Sequence, residues 1–183
     1  MAKQNRQGKA LILELGQIEE IVSNLAYPHS AIAALCYWSA SRAGEIVALE
    51  FSAIGPSSLS IKQSKTKAVK EIGYYSQLTE AIDLIHQHSG QYCFPSRNGT
   101  THLTLRAFQK QLDNCFDWLG ISGASSHSFR RSMATHLYES KVDLQSIRQM
   151  TGHKSLDSLT EYIDIPRLEA QSRISDAIAQ WRS

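Results

Sequence analysis

LSIKQSKTKAVKEIGYY, residues 59–75, decides the fold. Leu59 and Ile61 alternate with Ser60 and Lys62, the two-residue period of a strand with one buried face. Val69, Ile72, Tyr74 and Tyr75 return beyond the tip Ser64-Lys65-Thr66-Lys67, so the stretch predicts a two-stranded antiparallel hairpin with lysines at its turn. The turn cluster Gly55-Pro56-Ser57-Ser58 leads into it. On both sides of the hairpin the apolar residues follow helical spacing.

Upstream, a helix is predicted over about 17–25, ended by Pro28. Residues 30–49 are apolar on every side of a helical wheel, which marks buried helices; Gly44 divides them into two short ones meeting near Ser41. Downstream, Ser76 is expected to cap a helix running to about His88. Thr104 caps a helix carrying Leu105, Phe108, Leu112, Cys115, Phe116 and Leu119 at 3–4 spacing, and Gly120 stops it. Ser125 or Ser126 opens the next helix and Asp143 a short one; another starts near Ser155, and Pro166 begins a last one over 166–182. The fold class is mainly α with a small antiparallel β-hairpin.

Composition narrows the classes. Of 183 residues, 42% are hydrophobic and 20% charged, with ten Gly and four Pro, which excludes a collagen-like chain, a disulfide scaffold and extended disorder. No apolar run reaches the ~18 residues of a membrane span, and the polar, basic start lacks a secretory h-region. Three cysteines, Cys36, Cys93 and Cys115, have no metal-ligand spacing and fit a reducing cytoplasm. The formal charge of +2 says little about partners. Its distribution says more, because Lys62, Lys65, Lys67 and Lys70 fall in nine residues without an acid. Such a cluster is either a nucleic-acid patch or a solvated basic hairpin. The expected organisation is a basic tail over 1–16 and one domain over 17–183.

Three further stretches carry chemistry. His127 and Arg130, at i and i+3, share a helix face with no acid between them, a poor structural pair that suits a phosphate. Thr151-Gly152-His153-Lys154-Ser155 combines a sharp turn with a histidine near a helix N-terminus, where N–H groups favour anions, and Tyr162 follows nine residues after His153. Taken alone, Tyr162 reads as a packed aromatic beside Leu159 and Ile163. In Ala40-Ser41-Arg42-Ala43-Gly44-Glu45 an arginine lies between apolar segments; a buried pair with Glu45 and an anion site are equal readings. Seven histidines give no convincing metal-ligand set, and His86-x-His88 reads as a solvated helix end.

Taken in order, SRAGEIVAL, IKQSKT, HSFRRSMATHL and TGHKSLDSLTEYI resemble the catalytic domain of the tyrosine recombinase (phage integrase) family across nearly all of residues 17–165. The resemblance implies a DNA strand-exchange enzyme with Arg42, Lys65, His127, Arg130, His153 and Tyr162 as catalytic residues. Tyr162 would attack a DNA phosphodiester to form a 3′-phosphotyrosine. Arg42 and Arg130 would stabilise the pentacovalent transition state, and His127 would accept a proton from Tyr162 or touch the phosphate. His153 would donate to a non-bridging oxygen. Lys65, or its neighbour Lys67, would protonate the departing 5′-oxygen, and Glu45 would orient the arginine and histidine.

Lys62, Lys67, Arg131 and Lys154 are expected DNA contacts. The resemblance implies double-stranded DNA as partner, no metal and no other cofactor, no membrane, and action in the cytoplasm at the nucleoid. It also implies a homotetramer on paired sites that is weak or monomeric when free, with the helix at 166–182 docking in cis or in trans. Most family members carry an N-terminal helical domain ahead of this region, whereas about 16 residues precede it here. Two rival readings stand beside this one: a helix-turn-helix regulator built on 142–163 without catalysis, and a type IB topoisomerase that relaxes DNA.

Overall fold

A computed structural model describes residues 10–64 and 67–163, Glu161 by its backbone alone. Helices α1 (Leu15–Asn24), α2 (His29–Trp38) and α3 (Ala43–Ile46) precede strands β1 (Ser58–Lys62) and β2 (Val69–Gly73). Then come α4 (Ser76–Asp83), α5 (Leu105–Leu119), α6 (Ser126–Glu139), α7 (Leu144–Thr151) and α8 (Leu156–Ile163). The domain is mainly helical with a two-stranded antiparallel sheet, as the sequence predicts.

The central helix is α2, buried at every position from Ala31 to Tyr37, and α1, α3, α4, α5 and α6 pack around it. A chain this apolar over seven consecutive positions has no solvent face, so α2 can only lie inside. The break between α2 and α3 falls at Ser39–Arg42, where Ala40 takes a left-handed φ of 48°, close to the expected junction at Ser41. The three cysteines are all buried.

The hairpin register pairs Leu59 with Ile72 and Ile61 with Lys70. Leu59, Ile61 and Ile72 turn inward, as a two-residue period requires, and Lys70 turns in with them. Tips and caps follow the side-chain chemistry. Thr104 accepts from Ala107 N–H at 3.1 Å, Ser125 from His127 N–H at 3.3 Å and Asp143 from Ser146 N–H at 2.9 Å, each supplying an acceptor to an otherwise orphan N–H. Gly120 and Gly152 end α5 and α7 at φ 68°.

Two places differ from expectation. The expected tail over 1–16 is packed at its end, where Leu13 is fully buried, its N–H donates to Ser132 Oγ at 2.7 Å, and α1 starts at Leu15. Helix α4 stops at Asp83 instead of reaching His88, and its N-cap is Tyr75, with Ser76 its first residue. Beyond it, the His86 N–H donates to Tyr27 Oη at 3.3 Å and the two rings stack at 3.5 Å. Tertiary contacts thus take the donor that another helical turn would use. The helix expected at 166–182 lies outside the described residues.

Two hydrophobic clusters result. The larger runs from Leu13 through α2, the hairpin and α5 to Phe129 and Met133 on α6. The smaller joins Ala134 and Tyr138 of α6 to Ile147 of α7 and to Leu159 and Ile163 of α8. Helix α6 belongs to both, and the candidate site lies where they meet.

Candidate phosphate-binding site

Arg42 is the N-cap of α3, and the geometry of that first turn fixes it. The Glu45 carboxylate accepts from the Arg42 backbone N–H at 3.0 Å and from Arg42 Nη1 at 2.9 Å. The Glu45 side chain is fully buried while that of Arg42 keeps about a quarter of its surface open. Burial acts to raise the Glu45 pKa, but the hydrogen bonds and charge of Arg42, helped by Lys70, bring it below the ordinary carboxylate value. The acid is therefore ionised and holds a guanidinium that still has donors to spare. Glu45 also accepts from Ser64 N–H at 3.4 Å, which ties the hairpin tip to α3.

Arg130 is almost wholly buried on α6, at 2% exposure. Its Nη1 donates to the Ala40 carbonyl at 3.1 Å, and its Nη2 lies 3.4 Å from His153 Nε2. Burial first, and then the charge of Arg42, lowers its pKa to about 10, so it stays cationic near neutrality. Two guanidiniums that repel each other in a partly dry site are costly unless an anion joins them.

His153 follows the Gly152 turn. That turn is held against the hairpin by Gln63, whose Nε2 donates to the Gly152 carbonyl at 3.2 Å. A Cβ on residue 152 would lie 1.7 Å from that Nε2 and would displace the Gln63 amide from the turn, while the φ of 68° itself favours glycine. Thr151 Oγ1 lies 2.8 Å from His153 Nδ1. Burial, followed by the charges of Arg130, Arg42 and Lys70, pushes the imidazole pKa down to about 4.

Tyr162 lies on α8 with its ring centroid 5.0 Å from that of His153. Its hydroxyl donates to the His127 carbonyl at 3.3 Å. Burial raises its pKa, against the pull of Arg130, Arg131 and Arg42. His127 itself is exposed in the first turn of α6, one turn before Arg130.

The site thus brings together Arg42, Glu45, Arg130, His153 and Tyr162 from three helices and the loop after α7, with His127 at its rim. Lys65 lies outside the described residues. Lys62, Lys67 and Lys154 are exposed. Arg131, expected to touch DNA, is instead buried at 5%; its Nε donates to the Tyr162 carbonyl at 3.0 Å and its Nη1 to that of Ala10. It holds the backbone of the tyrosine.

Lys70 escapes sequence reasoning that counts it in a basic surface patch. It is 8% exposed, and its Nζ donates to the carbonyls of Ser39 at 2.8 Å, Met150 at 2.9 Å and Ala40 at 3.4 Å. Burial and Arg130 lower its pKa to about 7, while three carbonyl acceptors match the three donors of an ammonium. It fastens β2 to the α2–α3 turn and to the end of α7. The signal was present in the strand period, since Lys70 is in phase with Ile72 and opposite Ile61.

Arg42, Arg130 and Lys70 gather around one buried acid, and the two guanidiniums with a tyrosine close by suit an anion. The phage integrase family matches residues 12–167 of this sequence. The chain belongs to that family. A XerC tyrosine recombinase of Histophilus somni is 23% identical over 163 residues, covering 82% of this chain and 55% of its own. A XerD tyrosine recombinase of Chlamydia pneumoniae is 28% identical over 167 residues, covering 81% and 52%. The chain therefore spans about half the length of these relatives. Among solved structures, XerA recombinase superposes with a TM-score of 0.74 at 16% identity, covering 93% of this chain and 66% of its own. A lambda integrase dimer bound to a COC′ core site gives 0.72 at 19%, covering 86% and 49%. The fold is that of tyrosine recombinase catalytic domains.

Proposed function

We propose that this member of the phage integrase family is the catalytic domain of a site-specific recombinase that cuts and rejoins double-stranded DNA through a 3′-phosphotyrosine. The observation that carries the reading is the convergence of Arg42, Arg130, His153 and Tyr162 from separate elements upon one cationic pocket. Tyr162 Oη attacks phosphorus and the 5′-oxygen leaves, so one phosphoester replaces another. The bond energy stays in the tyrosyl ester, and resealing by a 5′-hydroxyl needs no ATP.

Arg42 and Arg130 bind the non-bridging oxygens, where charge grows in the pentacovalent transition state. Glu45 positions Arg42. The raised pKa of Tyr162 means that its proton must be taken as it attacks, and His127 at the rim is the acceptor. Lys65, with Lys67 as the neighbouring candidate, protonates the leaving oxygen. Lys62, Lys67 and Lys154 meet the DNA backbone outside the pocket. The protein acts on the nucleoid in the cytoplasm; no helix among the described residues is long and apolar enough to cross a membrane. Paired sites would be held by a homotetramer; the neighbour XerH bound to a palindromic difH substrate in a post-cleavage complex supports DNA as the partner.

The helix-turn-helix reading gives Arg42, Arg130 and Tyr162 no reason to meet, and it predicts no covalent product. The test is to incubate wild type and Tyr162→Phe with nicked or 5′-bridging phosphorothiolate duplexes, at low salt and without added metal. A protein–DNA adduct on a denaturing gel is expected with wild type alone. Binding without any adduct over a broad set of sites would favour the regulator. Relaxation of supercoiled plasmid without exchange of partners would favour the topoisomerase.

A further inference from the structure

The hydrogen bonds around His153 leave one arrangement of its protons. Thr151 Oγ1 lies 2.7 Å from the Ile147 carbonyl and 3.3 Å from that of Arg148, both acceptors, so the hydroxyl proton is spent on the end of α7. The oxygen then faces His153 Nδ1 with a lone pair at 2.8 Å, and Nδ1 must supply the hydrogen. At the other side of the ring, a guanidinium has donors only. Arg130 Nη2 at 3.4 Å therefore requires a lone pair on Nε2. Two constraints from α7 and α6 agree on the Nδ1–H tautomer.

The second proton is opposed from every side. Arg130 on α6, Arg42 at the head of α3 and Lys70 on β2 all act on the ring with positive charge, and the Tyr162 ring of α8 covers it at 5.0 Å. An imidazolium here would turn an N–H against the guanidinium. Yet a non-bridging phosphate oxygen is an acceptor, and a lone pair on Nε2 repels it.

We infer that Thr151 is a positioning residue that locks His153 with its proton on Nδ1, so that the DNA-free site presents an acceptor at Nε2 and takes up one proton there when a phosphate enters. The proton comes from solvent. It forms the Nε2–H bond, and the resulting imidazolium donates to the phosphate oxygen while the anion offsets the surrounding cations. The inference rests on the recombinase reading for the identity of the anion; the tautomer stands on the hydrogen bonds alone. It changes the expected role of His153, which becomes a donor only after DNA arrives.

The first test needs no DNA. Imidazole 15N shifts of the full chain at pH 7, assigned by subtraction with His153→Gln, are expected to show Nδ1 protonated and Nε2 bare. Thr151→Ser should keep that state, and Thr151→Val, which leaves only the longer 3.4 Å contact of Arg130 to hold it, should raise the Nε2–H fraction. A merely structural threonine would leave the tautomer unchanged in Thr151→Val, and that result overturns the proposal. So does a wild-type spectrum dominated by Nε2–H, which decides the matter even if Thr151→Val fails to fold. The second test is calorimetry of Tyr162→Phe with low-salt, non-specific duplex DNA in buffers of different ionisation enthalpy. Uptake of about one proton near neutral pH is expected, and its loss in Tyr162→Phe carrying His153→Gln. Binding without uptake overturns the coupling. An absence of any DNA binding sinks the recombinase reading and the uptake with it, while the spectrum of the free protein still decides the tautomer.

Discussion

Arg42 and Glu45 stand on the large cluster, between α2, α3 and the hairpin, whereas His153 and Tyr162 stand on the small one made by Ala134, Tyr138, Ile147, Leu159 and Ile163. The first group is held by a core that encloses a whole helix. The second is held by one face each of three helices and by a few polar ties: Lys70 to Met150, Gln63 to Gly152 and Arg131 to Tyr162. Regions with few buried apolar contacts open at lower free energy than the core. On the proposed reading, the half of the site that would grip phosphate is thus the more firmly held, and the half with Tyr162 should open at lower free energy. Arg130 spans the two, from the Ala40 carbonyl to His153.

The largest effect should come from removing that span. Arg130→Ala is expected to lower covalent adduct formation by roughly 10²- to 10³-fold, the scale on which a transition-state donor acts. Quantifying the trapped adduct against wild type checks it. A variant that cleaves within about tenfold of wild type would mean that Arg130 is a strut and not part of the phosphate grip.

Truncations in the two clusters test the comparison directly. Leu35→Ala and Ile147→Ala, both at fully buried positions, should each cost about 2–5 kcal/mol. Hydrogen exchange separates them: Leu35→Ala should speed exchange everywhere, Ile147→Ala chiefly in α7 and α8. Uniform acceleration in both would make the domain a single cooperative unit and remove the distinction.

Lys70→Met sharpens the boundary between the regions. It leaves the carbonyls of Ser39, Ala40 and Met150 without their shared donor, at a cost of about 1–3 kcal/mol. Thermal melting should show that loss, and exchange of the 150–153 turn should rise more than that of α2. Lys70→Arg should not restore the turn, because a planar guanidinium cannot aim three donors at carbonyls gathered around one point.

What the sequence discloses divides along the same line. Local signals were enough for the hairpin, for the caps at Thr104, Ser125 and Asp143, and for the stops at Gly120 and Gly152, because each depends on neighbours in the chain. Arg42 with Glu45 was legible for the same reason, being an i, i+3 pair. The sequence pattern over-extends helix α4 because the end of that helix depends on Tyr27, fifty-nine residues before His86. Lys70 and Arg131 read as surface charges in the sequence, since what buries them is carbonyl groups from distant turns, and a carbonyl has no sequence signature. The tautomer of His153 needed Arg130 and Thr151 in three dimensions.

The pH dependence of stability follows from that imidazole. Its folded pKa is lowered to about 4 from an ordinary 6.5, so between those values the unfolded chain binds more protons than the folded one. Stability contributed by His153 should therefore rise as pH climbs from about 4 to about 6.5 and be fully present above that window. His153→Gln should flatten this part of a melting-temperature profile. An unchanged slope would place its source in another group.

The smallest effect gives the finest comparison. Thr104 caps α5 on the large cluster through the Ala107 N–H, and Asp143 caps α7 on the small one through the N–H and the hydroxyl of Ser146. Thr104→Ala should cost about 1 kcal/mol and leave adduct formation unchanged, because the large core keeps α5 in register without its cap. Asp143→Ala should fray the start of α7, which has little core to resist it, and slow adduct formation through the far end of the same eight-residue helix, where Thr151 holds His153. Adduct kinetics of the two variants, read beside their melting temperatures, weigh the idea. If both slow cleavage in proportion to lost stability, the site responds to the domain as a whole. If only Asp143→Ala does so, the half of the site that holds His153 and Tyr162 has a stability of its own.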